Sequence, residues 1–514
     1  MKKIYLSLML LGAVAFTSCD MDTKPWSSLD EDTAISTTSD LRKFRNQIYN
    51  NLRSCTSGAW MYLTDIQMDE FNGLIINGNQ LGEISKGNIT TSDTDILGCW
   101  SGGYAMIANC NSLIEHADKL LAQEGTSDAD KVAINRYKGE AQFMRAYMYF
   151  WLADHFCQSY TQTDPNKDAS GMPIVTEYNP TGDASKYPGR STLAKTFELV
   201  ENDLNSALEK LQAFEASGQK VEAESKADAY TYLTSYAVEA LQARVALVKG
   251  DWQTARDKAV SVIESGKFSL ATMKNYAKMW SDDTSTETIL QPIQSPTELG
   301  GTYANVFQDK SGTSAYYLPN YGALSIYGEG DVRFDTFFSE YGNLTVEGSQ
   351  YPAYVFNKYP GNTALRTSSD NNFANMSKVF RISEMYLIAA EADARLNNTQ
   401  EGSKYLNDFC AMRIQGYKSQ TYSADNLLST TLEEREKEFI GEGFRWSDIR
   451  REGKGFKRVS DFPSETGLDY LNSIMVTLGR NISYAADDHR LTWPIPKTEI
   501  DSNPQLKGQQ NPGY

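Results

Sequence analysis

The chain has 514 residues, with 49 Lys+Arg against 66 Asp+Glu and a formal net charge of −17. No stretch concentrates enough positive charge to hold a phosphate backbone, so nucleic acid is excluded as a partner, and an anionic membrane face suits the chain poorly. Aromatic residues make up 11% of the sequence, including 30 Tyr, which suffices for both a large core and a contact surface.

Residues 1–18 read as a leader. Lys2 and Lys3 give a positive start, and the apolar run from Ile4 to Phe16 is too short to cross a bilayer. Phe16-Thr17-Ser18-Cys19 is similar to a bacterial lipoprotein cleavage box, with Phe16 in place of the usual leucine. Cleavage before Cys19 leaves residues 19–514, with Cys19 as the lipidated N-terminus and multiple acyl chains giving a stable anchor. Asp20 and Asp22 follow directly. No later run is long and apolar enough to span a membrane, so the expectation is a soluble body on a tether.

Spacings of three and four predict helices along most of the remainder. Asp40 to Leu52 carries Leu41, Phe44, Ile48 and Leu52 on one face. Helices are expected from Tyr104 to Leu121, Lys131 to Phe156 and Thr192 to Leu211. Tyr230 to Val248 and Trp252 to Ile263, joined by Lys249-Gly250-Asp251, have the length and small-residue packing of one tetratricopeptide unit. Lys378 to Leu396 and Ser403 to Ile414 follow. In the first of these, RISEMYLIAAEADARL, one face is apolar, and Glu391 and Arg395 stand four apart as a surface pair. Farther on, Thr431 and Glu434 have capping-box spacing, and Gly441 and Gly443 interrupt the helix before Phe444, Trp446 and Ile449.

Two regions lack helical periodicity, residues 69–100 and 281–375, both rich in Gly, Asn and short polar residues. So long a stretch without a helix is expected to fold as an irregular layer with short strands, such as Thr288 to Ile293 and Tyr354 to Lys358. Cys55, Cys99, Cys110, Cys157 and Cys410 show no metal spacing. They read as small buried hydrophobes, with a Cys55–Cys99 or Cys99–Cys110 bridge left open. Asp282 and Asp283 would permit a calcium ion, but no metal site is assigned.

The order of RISEMYLIAAEADARL, TLEEREKEFIGEGFRWSDIRREGK and the closing WPIPKTEIDSNPQLKGQQNPGY resembles the SusD/RagB-like family of surface nutrient-binding lipoproteins. Stretches at Gly139 to Phe156, Gly171 to Val175, Gly189 to Leu211 and Gly330 to Phe338 match the family as well, so the likeness covers nearly the whole of residues 19–514. It departs at His155 to Ser159, where a glycine is common after the aromatic. The resemblance implies one continuous, all-α domain over residues 19–514, a tetratricopeptide-like helix-pair scaffold under a loop-rich ligand-binding face with few short strands. It also implies a cell-surface lipoprotein of a Gram-negative outer membrane. Such a protein captures glycan and acts as a lid over a SusC-like, TonB-dependent transporter, without bond chemistry or a cofactor.

A sugar binder needs flat apolar faces beside short polar groups. Trp100 lies where family members can present a stacking Trp, although a Trp near a helix start is often a packing residue. Tyr303, Tyr316, Tyr317, Tyr321 and Tyr327 fall in the second loop region, where tyrosines also commonly pack the loop itself. Asp69, Asn72, Asn77 and Asn79 are candidate hydroxyl partners. The charges of the motif helices, Arg381, Glu384, Glu391, Glu434, Arg435, Glu438, Glu442, Arg445 and Arg450, read as structural ion pairs and caps. No GxSxG, HExxH or Walker motif occurs, and His116, His155 and His489 form no catalytic constellation. Peptide capture by the same fold is the alternative, while a polysaccharide-degrading enzyme and a plain tetratricopeptide adaptor rank lower.

Overall fold

The computed structural model describes residues 34–220, 229–309 and 314–514. The leader and Cys19 lie outside these residues. The longer helices are α1 (Thr38–Cys55), α2 (Ala59–Gln67), α3 (Thr94–Leu121), α4 (Asp128–Phe156), α5 (Leu193–Ala216) and α6 (Ser235–Lys249), followed by α7 (Trp252–Glu264), α8 (Ile382–Arg395), α9 (Thr399–Ala411), α10 (Ala424–Phe439) and α11 (Phe444–Arg451). Short side chains start most of them. Thr37, Asp93, Ser127, Thr192, Asp251 and Ser423 each accept a first-turn backbone N–H. Gly250 closes α6 at φ +76°, a left-handed conformation that a side chain would resist, and the chain turns straight into α7. Neighbouring helices pack in pairs as a tetratricopeptide-like, all-α scaffold around one continuous apolar core.

Two boundaries differ from expectation. Helix α3 begins at Thr94, a full ten residues before Tyr104, and places Trp100 inside the helix. The glycines that hide this start serve packing. A Cβ on Gly103 would meet Leu152 at 3.0 Å, and one on Gly102 would meet Trp60 at 3.1 Å. Helix α10 begins at Ala424 with Ser423 as its cap, so Thr431 caps nothing. Thr431 is buried at mid-helix, and its hydroxyl donates to the Leu427 carbonyl at 2.7 Å.

Helix α8 is buried on nearly every side, including Glu384, Glu391 and Asp393. The expected Glu391–Arg395 pair forms at 3.9 Å, but its acid is fully buried and not at the surface. Glu391 receives the Arg451 guanidinium on both oxygens, with Nη2 at 2.8 Å from Oε2, while Asp393 accepts from Arg256 at 2.6 Å. Such pairs offset the cost of burying a polar carboxylate.

The two irregular regions fold over one side of the scaffold. Four two-stranded antiparallel sheets occur among the described residues: β1 (Phe71–Gly73) with β3 (Tyr317–Pro319), β2 (Thr288–Leu290) with β6 (Phe380–Arg381), β4 (Phe338–Val346) with β5 (Ser349–Phe356), and β7 (Phe456–Lys457) with β8 (Ser483–Tyr484). The expected strand at 354–358 is the end of the β4–β5 hairpin. Phe71, Tyr303, Phe307, Tyr317, Phe356 and Tyr359 build an aromatic core beneath this layer, and Leu74, Leu318, Leu344 and Met475 belong to a third, aliphatic one. The five cysteines are buried and free, so neither candidate bridge forms. No helix among the described residues is long and apolar enough to cross a membrane.

Candidate functional site

The β1–β3 ladder brings the two loop regions together. Phe71 pairs with Pro319, Asn72 with Leu318 and Gly73 with Tyr317. Just beyond the ladder, Asn320 fixes the geometry. Its backbone N–H donates to the Glu70 carbonyl at 3.0 Å, and its side-chain Nδ2 donates to the Asp69 carbonyl at 2.6 Å. Its Oδ1 accepts from Ala323 N at 2.9 Å and starts the short helix Tyr321–Ser325. Gly322 N then donates to Val459 O at 2.9 Å.

These bonds frame a surface hollow of about 670 Å³, counting its open mouth. Asp69 and Glu70 line it from the first loop region, and Gly322, Ala323, Ser325 and Ile326 from the second. Glu436 and Ile440 close it from the end of α10, and Lys457 and Val459 from the segment around β7. Lys457 and Val459 are exposed. Arg445 organises the acidic side. It binds Asp69 through Nε at 2.9 Å and Nη2 at 2.7 Å, and Glu436 through Nη1 at 2.8 Å.

Glu70 has no such partner. It is 3% exposed, and its Oε2 is an unbonded buried oxygen. Burial pushes its carboxyl well above the ordinary range, and the charges of Asp65 and Asp69 push it further. Burial also raises Glu436, against the opposing pull of Arg445. The hollow thus offers carboxyl groups of two kinds, a lysine ammonium, and an aliphatic wall.

The candidate residues divide sharply. Asp69 lines the hollow, and Tyr321, half-buried, opens the short helix that forms its wall. Trp100 is 3% exposed and packs against Tyr104 and Phe156, with ring centroids 5.2 and 5.0 Å away, so it has no free face for a sugar. Tyr303 is buried, stacked on Phe307 at 5.0 Å, and donates to Asp65 at 2.7 Å. Tyr317 is fully buried and donates to the Gln80 carbonyl at 2.5 Å. Tyr327 is tied to Lys437 O at 2.8 Å, while Tyr316 is half-buried beside the β3 ladder.

Asn72 is buried, accepting from Ser460 Oγ at 3.2 Å, and Asn77 shapes a turn by accepting from Asn79 N at 2.8 Å. Both carry turn and strand chemistry where hydroxyl contacts were expected. Asp283 is taken by Lys378 at 2.5 Å and Asn362 at 2.9 Å, which leaves it unsuited to calcium.

Several residues of this face escaped the sequence analysis. Glu70 and Glu436 sit among so many acids that nothing in the chain marks them. Tyr351 and Tyr470 stack at 6.2 Å on the same layer, half-buried, from positions 119 apart in sequence numbering. Tyr351 stands on β5, just after the Glu347-Gly348 turn, where both residues take positive φ.

The motif charges form a buried network behind this face. Glu438 accepts from Arg413 at 2.9 Å and from Arg381, while Arg413 also reaches Glu287 at 2.7 Å. Burial alone would raise the Glu438 carboxyl, but Arg413 and Arg381 reverse the effect and hold it far below the usual range. Lys358 bonds Glu442 at 2.7 Å, and burial brings its ammonium down to about 8.

Residues 301–514 match the family described as "SusD family", and residues 21–247 match one described as "Starch-binding associating with outer membrane". The chain is similar to the SusD-like protein P38 of Formosa agariphila, 21% identical with 99% of this chain and 98% of the relative covered. Among solved structures it is similar to a SusD superfamily protein from Bacteroides thetaiotaomicron, at 27% identity and a TM-score of 0.75 over 93% of this chain and all of the other. Surface glycan-binding protein A from Bacteroides fluxus shares the fold at 20% identity, with a TM-score of 0.66 over 93% of this chain and all of the other.

Proposed function

The chain belongs to the SusD family, and we propose that it captures glycan at the cell surface and passes it to a SusC-like, TonB-dependent transporter in the outer membrane. In this reading residues 19–514 work as one nutrient-binding domain, anchored through lipid on Cys19. The work is binding and lid closure, with no bond made or broken.

The observation that carries the reading is the meeting of both loop regions at the Asp69 hollow. Sugar hydroxyls both donate and accept. Asp69, Glu70 and Glu436 supply acceptors, and Lys457 supplies a donor. Ala323, Ile326, Ile440 and Val459 suit the C–H faces of a pyranose ring. The open mouth lets a polymer pass across the site. The starch-binding description of the matching family supports the same ligand class.

One observation favours peptide as a second reading. The large hydrophobic residues that stand exposed among the described residues are Ile75, Ile293, Leu299, Val459 and Leu478, none of them aromatic. A glycan platform must therefore come from half-buried rings such as Tyr321.

Calorimetry on residues 20–514 tests the proposal, with a polysaccharide panel and a mixed peptide pool as titrants and Lys457→Ala in parallel. Saturable heat with one glycan is expected, weakened about tenfold by Lys457→Ala with Tm unchanged, as loss of a charged hydrogen bond predicts. Heat with peptides alone would transfer the protein to the second reading. Glycan binding indifferent to Lys457→Ala would remove the site from this hollow. Trp100→Ala is not a clean probe, because it would open the core.

A further inference from the structure

A second hollow lies in the helical scaffold and shares no lining residue with the Asp69 hollow. It runs between α2, α4, α6 and the turn joining α10 to α11, with about 870 Å³ of free space counting the part open to solvent. Trp60 and Trp151 stand in its wall, their ring centroids 4.5 Å apart, with Leu247, Val248 and Phe444 beside them. Arg435 is the key group of the charged remainder. It is 2% exposed and clasps Asp448 through Nε at 2.9 Å and Nη2 at 3.0 Å, while its Nη1 is buried without a hydrogen bond. Arg244 likewise spends one edge on Glu384, with Nε at 2.6 Å and Nη2 at 2.7 Å, and no described residue bonds its Nη1. Both guanidinium groups lie against the Phe444 ring, with Cζ of Arg435 6.0 Å and Cζ of Arg244 4.8 Å from its centroid.

The carboxylates of the wall are already engaged. Asp448 is held by Arg435 and Arg451, Glu442 by Arg381 and Lys358, and Asp154 by Arg450. Four cations, Arg244, Lys378, Arg435 and Arg451, thus share the wall with three carboxylates, and burial holds His155 neutral by lowering its ring to about 3. The first partners behind the wall balance, with Glu384, Asp283, Glu391 and Glu452 against Arg450, Arg381, Lys358 and Arg395. One positive charge and one buried donor are left over. An unbonded buried donor on a charged group is costly, and an acceptor from outside removes the cost. A carboxylate is acceptor-only, carries the missing charge and makes the stronger, charge-assisted bond. The aromatic and aliphatic side of the hollow suits an apolar body next to it. We propose that this hollow binds a small carboxylic acid with an apolar body, its carboxylate at Arg435 Nη1 and its body against Trp60 and Trp151. A free organic acid and the C-terminus of a short peptide share this chemistry.

The inference does not rest on the capture reading, and its test leaves that reading untouched. Residues 20–514 are titrated by calorimetry with phenylacetate, its uncharged counterpart phenylacetamide, the tripeptide Gly-Gly-Phe and inorganic phosphate. Saturable binding of phenylacetate or Gly-Gly-Phe is expected, with phenylacetamide about tenfold weaker or more and phosphate alone silent. The tighter of the two acids identifies the source as a free acid or a peptide terminus. Arg435→Lys keeps the charge but loses the fork, and should weaken the acid about tenfold. Trp60→Leu trims the half-buried aromatic wall and decides the matter should Arg435→Lys fold poorly. Silence of both acids at millimolar concentration overturns the site, as does equal binding of phenylacetate and phenylacetamide or an equal response to phosphate. Acid binding indifferent to both variants, or lost in Lys457→Ala, overturns it as well, by placing the acid elsewhere.

Discussion

Asp65 illustrates how a single side chain ties the scaffold to the loop layer. It is 1% exposed, accepts from the Tyr303 hydroxyl at 2.7 Å and from Gly443 N at 3.1 Å, and so joins α2, the second loop region and the turn before α11. Burial raises its carboxyl to about 7, although both hydrogen bonds pull the other way. The sign of the linkage follows. Between about pH 4 and pH 7 the unfolded chain has released this proton and the folded chain has kept it, so stability falls as pH rises across that window. The expected effect is a few kcal/mol at most, shared with Glu70, whose carboxyl is raised for the same reason. Urea unfolding across the window should show the fall, and Asp65→Asn should flatten it. An equal slope in the variant would remove Asp65 from the account.

At the scale of elements, caps and buried pairs decide where helices begin. Ser423 starts α10 eight residues before Thr431, where the capping-box spacing places the start. Ser423→Ala should cost about 1 kcal/mol, read as a lower denaturation midpoint at unchanged m-value. No change would return the cap to Thr431. Helix α8 shows the opposite limit, since its N-cap, Arg381, makes no side-chain cap bond. The Arg381 backbone is paired in β6 and its guanidinium is bound to Glu438 and Glu442, so the tertiary network holds what a local cap would hold elsewhere.

Across the whole molecule, Arg458 fastens the loop layer to the scaffold. It is fully buried and donates to the carbonyls of Ile66, Gln67 and Met68 at the end of α2, and also to Ser85 and Gly479. A cation at the negative end of a helix is favourable, and it satisfies carbonyls the helix leaves orphaned. Burial still lowers its guanidinium to about 10, for want of a carboxylate partner. Arg458→Met should cost roughly 3 kcal/mol or more, because several buried acceptors lose their donor at once. Hydrogen exchange should report the loss first around residues 66–73, with α4 still protected. Uniform loss everywhere would mean that the layer and scaffold open as one unit.

The sequence by itself determined the helical scaffold, the α6–Gly250–α7 hairpin and the family, because helix periodicity and turn glycines are local properties carried by consecutive residues. It also marked the two regions that fold as an irregular layer, in which Asp69 lines the hollow and Tyr321 opens the adjoining short helix. What only the tertiary structure decided is which aromatic and polar residues of those regions remain available. Trp100, Tyr303, Tyr317, Asn72 and Asn77 have the composition of a binding face, yet packing and strand pairing use them up. Glu70 carries no signal in the chain, since an unpaired polar group is defined by neighbours distant in sequence, and burial is a property of the fold rather than of the residue.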